Sequence, residues 1–210
     1  MIFTDLINNI ALLLSLSILY SFMTRRGNST SIAGQIFTGC IFGLVAVAGM
    51  MNPFRFAPGI IFDGRSIVLS MAGLFGGPVT AAVSAFIAAC WRLYLGGVAA
   101  WTGCGTILTS AALGTAFYFL RRRKPELFSP LHIFTFGILV HICVLLWMLT
   151  LPKPTAFDVL RKVSLPMMLI FPLATLLMAK LLDDVETRNH ALKMLKDSEE
   201  KYRRIVESAN

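Results

Sequence analysis

Charge is what this chain has least of. Only 14% of its 210 residues are Asp, Glu, Lys or Arg, against about 25% in an ordinary soluble domain. Acid is scarcer still: residues 1–182 hold four Asp/Glu and thirteen Lys/Arg, while residues 183–210 hold seven acidic and six basic residues. So few charges cannot cover a water-facing globule of 182 residues, which excludes a soluble enzyme or binding module over that stretch. The four cysteines, Cys40, Cys90, Cys104 and Cys143, all fall in apolar runs with no CxxC pairing. Neither a disulfide framework nor a zinc site is indicated, and no metal or other cofactor is expected. No basic region precedes the first apolar stretch, which carries Asp5, Asn8 and Asn9, and no small-residue cleavage site follows it. It reads as a first membrane helix and not as a cleaved signal peptide. The basic balance, net +8, is read as membrane topology and not as nucleic-acid binding.

What the sequence has in abundance is hydrophobic runs. A helix needs about 20 apolar residues to cross the hydrocarbon. Candidate spans lie at about 3–23, 31–51, 60–76, 78–96, 101–120, 131–151 and 163–182, each taken from the hydropathy pattern. The long run from Ile60 to Arg92 is divided at Gly76-Gly77-Pro78, which reads as a helix stop and restart, a hinge between two spans. The basic clusters test that division. Arg25-Arg26 and Arg121-Arg122-Arg123-Lys124 both belong on the cytoplasmic side, so an even number of crossings must separate them. Splitting the long run meets that requirement. The expected fold is an all-α polytopic membrane protein with about seven transmembrane helices, N-terminus out and C-terminus in.

This topology gathers polar residues near the outer face. Asn52 and Arg55 fall in the first outer loop. Asp63 and Arg65 open the third span, Arg92 and Tyr94 close the fourth, and Thr102, Cys104 and Thr106 open the fifth. Arg92 interrupts an otherwise uncharged stretch from Ser66 to Leu120, and charges at such depth mark function by default. The plainer alternative is that Arg92 snorkels to the interface or bridges to Asp63. Two arginines facing one acid leave a positive charge that an anion could neutralise. Guanidinium groups match a carboxylate in bidentate fashion, and the start of the fifth helix would turn its free N–H groups to the same place. Gly96, Gly97, Gly103 and Gly105 would allow close approach of the backbone. A small carboxylate therefore fits better than a nucleotide, since no glycine-rich loop follows a strand. His132 and His141, nine residues apart and near Cys143, form no matched metal or haem set and read as core or interface histidines. Gly39, Gly43 and Gly49 read as a close helix–helix contact. Nothing here indicates catalysis.

From Lys180 the pattern becomes a charged helix. Leu181, Val185, Arg188, Leu192, Leu195, Glu199, Tyr202 and Val206 alternate steps of four and three. That is a heptad seam suited to a parallel homodimer, with Leu181, Val185, Leu192, Leu195 and Tyr202 as its contacts. An amphipathic linker lying on its own module is the alternative.

Two resemblances can be placed on these residues. Asp63-x-Arg65, Gly73-Leu74-Phe75-Gly76-Gly77-Pro78, Arg92-x-x-x-Gly96-Gly97 and Gly103 together resemble the five-transmembrane receptor domain of the LytS–YhcK type, over roughly residues 30–182. Ala99 stands where that family often has a further glycine. The run Ser198-Glu199-Glu200-Lys201-Tyr202-Arg203-Arg204-Ile205-Val206-Glu207-Ser208-Ala209-Asn210 resembles the opening of a PAS domain. The first resemblance implies a sensory input in the cytoplasmic membrane of a bacterium, feeding a histidine kinase or a diguanylate cyclase, with Arg65 and Arg92 in a ligand pocket. Some such domains are associated with pyruvate-like carboxylates. The expected organisation is a transmembrane sensor over 1–182 and, over 183–210, a coiled-coil linker with the start of a PAS domain cut from a longer chain. A small-anion transporter is the competing reading, but it should show repeated halves, and only the break at Gly76–Pro78 is visible. A bare dimerising anchor is a third.

Overall fold

The computed structural model describes residues 11, 13–22, 24, 31–51, 54–57 and 60–209. The chain forms helices α1 (Leu13–Phe22) and α2 (Ile32–Met51), then a short hairpin of β1 (Phe54–Ala57) and β2 (Ile60–Phe62). Helices α3 (Arg65–Leu95), α4 (Ala100–Arg123), α5 (Pro130–Met148) and α6 (Lys153–Ala209) follow. Five of these helices, α2 to α6, are long and apolar enough to cross a membrane, and α1 is a shorter apolar helix. Large apolar side chains stand exposed along them, among them Phe86, Trp101, Phe157, Leu165, Leu169, Leu173 and Leu177. Water would not tolerate that surface, whereas lipid would, and helices satisfy their own backbone groups inside it. The fold is that of an all-α, multi-pass membrane protein.

The sequence places the third span at 60–76, but the structure starts the helix only at Arg65. Residues 60–62 instead pair antiparallel with β1, Phe54 opposite Phe62 and Arg55 opposite Ile61. The reason is local. Pro58-Gly59 is a turn dipeptide between two short runs of strand-forming residues, and hydropathy alone does not see it.

Helix α3 is two legs, not one rod. Gly77 breaks it with φ 77° and ψ −170°, a backbone conformation open essentially to glycine. A straight helix would hold residues 65 and 92 about 40 Å apart. Instead, Arg65 and Asp63 lie within Coulombic reach of Arg92, so the chain turns back at Gly77. The contacts with α4 trace both legs. Ser70 and Gly73 of the first leg touch Gly114 and Thr115, Gly77 faces Tyr118, and Ala89 and Arg92 of the second leg reach Cys104 and Gly103. Backbones meet directly at two of these points: a methyl on Gly114 would lie 2.1 Å from the Ser70 carbonyl oxygen, and one on Gly73 2.6 Å from the Thr115 nitrogen. On its other side the second leg packs on α2, where Gly39 and Gly43 fit against Val83 and Ile87.

The first leg, residues 65–76, rises only about 18 Å. Asp63 and Arg65, at the start of this leg, are both buried within the protein. Helix α6 runs unbroken from Lys153 through the expected tail to Ala209, with Pro166 and Pro172 inside it. At 57 residues it is about 86 Å long.

Candidate functional site

Several of the polar residues singled out in the sequence come together. Asp63, Arg65, Arg92, Thr102, Cys104 and Thr106 are all buried, and Arg92, at 2% exposure, is among the largest fully buried side chains. Asp63 sits just before α3, where its carboxylate accepts the Arg65 backbone N–H at 2.9 Å and the Arg65 guanidinium at 3.2 Å. A short acidic side chain two residues ahead of a free helical N–H makes this local loop by itself. Arg92 comes from the last turns of the second leg. Its Nη1 donates to the Gly96 carbonyl at 2.8 Å, which ties the guanidinium to the end of its own helix, where carbonyls lack helical partners. The Arg65 guanidinium and the Asp63 carboxylate both act electrostatically on Arg92. Among the described residues, two positive charges and one negative thus share this buried region.

Helix α4 closes the group. Thr106 donates to Gly103 at 2.8 Å, and Cys104 Sγ lies 4.0 Å from the Ala89 carbonyl oxygen. Thr150 donates to the Trp147 carbonyl, so in the 2.7 Å contact between Thr102 and Thr150 it is Thr102 that donates. The start of α4 is thereby fastened to the end of α5. Trp147 repeats the link one turn along, lying over Gly105 and donating to Thr109 at 2.8 Å.

A family model described as 5TMR of 5TMR-LYT matches residues 16–185. The chain belongs to this family. The 5TMR-LYT domain is a membrane sensory domain typical of LytS-type histidine kinases, and it is a sensor and not a catalyst. No curated protein matches the chain, and no solved structure does.

Within this 5TMR-LYT domain some expected residues stand apart from the buried group. Tyr94 is 79% exposed, its ring 5.4 Å from that of Trp91, whereas Arg92 is buried. Asn52 lies outside the described residues, and Arg55 is placed by its backbone alone, on β1 opposite Ile61. Gly76, Gly77 and Pro78 form the turn at the far end of the legs. Of the heptad seam, Val185 packs against the domain's own core, while Leu181, Leu192 and Leu195 are exposed. Tyr202 continues α6.

Two connections escape a reading of the sequence. His141 is fully buried, donates from Nδ1 to the Gly137 carbonyl at 2.7 Å and shares a 3.1 Å hydrogen bond with Ser66. Its ring also lies 5.1 Å from that of Phe171 on α6. The residue after Arg65 is therefore one histidine away from the longest helix. At the opposite end, Arg121 pairs with Asp183 at 3.0 Å and Glu186 at 3.4 Å, and Tyr20 donates to Glu186 at 2.7 Å. The sequence shows each polar residue in its own helix. Only packing shows that they meet.

Proposed function

We propose that this 5TMR-LYT domain senses a small anionic ligand, a carboxylate of the pyruvate type, through Arg65 and Arg92, and relays its binding through α6. The observation that carries this reading is the burial of two arginines with one acid. A region that is net positive and shielded from water favours an anion strongly, and guanidinium groups offer a carboxylate two parallel hydrogen bonds. Asp63 holds Arg65 in place, and Thr102, Cys104 and Thr106 supply the neighbouring polar atoms.

The relay follows the contacts inward. Ser66, next to Arg65, reaches His141, and His141 packs on Phe171 of α6. Because α6 continues without a break past the membrane segment, a shift at Phe171 is passed along one rigid element. The output it feeds is a kinase or cyclase following a PAS domain that opens near Ser198, and two copies joined along α6 would keep their outputs in register.

The orientation belongs to the same proposal: seven crossings in a bacterial cytoplasmic membrane, Met1 outside and the Arg121–Lys124 end inside. The reversal at Gly77 supports it, since it puts an even number of legs between Arg25-Arg26 and Arg121–Lys124.

A thermal-shift panel of small carboxylates, applied to the purified domain in detergent, tests the ligand class. Stabilisation by one or more monocarboxylates, and none by matched amides, is the expected result. Equal stabilisation by acid and amide would reject an anion site.

A further inference from the structure

A cavity of about 1080 Å³ lies at the end of the bundle opposite the buried arginines. That is above the usual range of about 300–1,000 Å³ for small-molecule sites. Its walls mix polar and apolar groups. Arg121, Arg122 and Glu186 form a polar end beside the Phe75 and Phe128 rings, while Leu19, Phe22, Phe37 and Ile41 supply apolar side chains from α1 and α2, with Gln35 and Thr38 among them. The apolar rim faces outward: Phe22 on α1 is 64% exposed and Phe37 on α2 is 61% exposed. In a membrane two such exposed rings would meet hydrocarbon.

The polar end is built and held. Cζ of Arg121 lies 3.9 Å from the ring centre of Phe128 and 5.2 Å from that of Phe75, while its Nη2 faces Asp183 and Glu186. Arg122 lies over Tyr118, Cζ 4.6 Å from the ring centre. Arg121 has carboxylate partners within the protein. Arg122 has none among the described residues, and the chain continues with Arg123 and Lys124.

From this we infer that the cavity is a binding site for an anionic phospholipid of the adjoining leaflet, its phosphate on Arg122 and its chains between α1 and α2. The charge complementarity selects the headgroup, since a phosphate matches the guanidinium fork and a basic surface at the membrane boundary attracts anionic lipid. The apolar rim selects an amphiphile over a free anion. A phosphate at Arg122 also sits beside Arg121, where it competes with Glu186. Glu186 is the residue through which Tyr20 of α1 and Arg121 of α4 both grip α6, so the lipid would loosen that grip. The inference is independent of what the outer site binds.

Native mass spectrometry of the full chain, equilibrated with phosphatidylglycerol and phosphatidylcholine of identical chains, is the test. The parent should retain phosphatidylglycerol about tenfold to a hundredfold more strongly, the range for one charge-assisted hydrogen bond. Arg122→Gln, at an exposed position, should reduce that preference to near parity. Ile41→Trp, which fills the apolar side without touching charge, should weaken retention of both lipids. Equal retention of the two lipids by the parent overturns the inference, as does undiminished retention in either variant. Displacement of the lipid by millimolar inorganic phosphate would identify a free-anion site instead and overturns it equally.

Discussion

A methyl group on Gly103 would stand 2.5 Å from Nε of Arg92. The arginine reaches its place by lying across α4 at a position without a side chain, and the contact falls along its stem, not at its free end. Arg92 is almost wholly buried, so it cannot swing aside cheaply. Gly103→Ala is therefore expected to displace the guanidinium and weaken ligand binding at least about tenfold, the loss of roughly one charged hydrogen bond. Gly49→Ala is the matched control, because nothing lies within 4 Å of its added methyl. Titration of both variants with a stabilising carboxylate decides it. Equal affinity for Gly103→Ala and Gly49→Ala would mean that the Arg92–Gly103 contact plays no part in binding.

The turn at Gly77 carries a second expectation. Its φ of 77° with ψ near 180° is strained for any side chain, and an added methyl would also meet the Tyr118 ring at 3.1 Å. Gly77→Ala should cost about 1–3 kcal/mol, read as a lower thermal midpoint in detergent. An unchanged midpoint would argue against the helical hairpin.

How much of this was legible beforehand depended on whether the signal was local. The break at Gly76–Pro78 and the approach of Asp63 and Arg65 to Arg92 follow from hydropathy, paired glycines and the parity of two basic clusters. The hairpin at 54–62 escapes hydropathy because its residues are as apolar as a span, although Pro58-Gly59 carries the cue. Depth alone groups Tyr94 with Arg92. Two positions on a helix are a turn of about 200° apart, so equal depth does not mean the same face. His141 could be read only as a buried histidine, since its partner Ser66 is 75 residues away. The same holds for Val185, whose place in a heptad seam is also a place against the domain's own core.

Orientation is open to labelling. In a background without Cys40, Cys90, Cys104 and Cys143, a cysteine at Pro154 should react with a membrane-impermeant reagent in intact cells. A cysteine at Glu126 should react only after lysis. The opposite pattern would invert the topology.

Dimerisation along α6 predicts that Leu192→Asp combined with Leu195→Asp abolishes crosslinking of a cysteine placed at Lys196. Both leucines are exposed, so the pair should leave the fold intact. Persistent crosslinking would move the contact into the membrane helices.

The most direct measurement is calorimetric titration of the parent, Arg92→Ala, Arg92→Lys and Asp63→Asn with one carboxylate, alongside thermal stability of all four. Arg92→Ala should lose roughly tenfold to more than a hundredfold in affinity. Arg92→Lys, whose point charge lacks the planar fork, should recover it in part. Asp63→Asn releases Arg65 and should lower affinity less than Arg92→Ala does. If Arg92→Ala binds as the parent does while its stability falls, the arginine is a structural prop and the anion site is wrong.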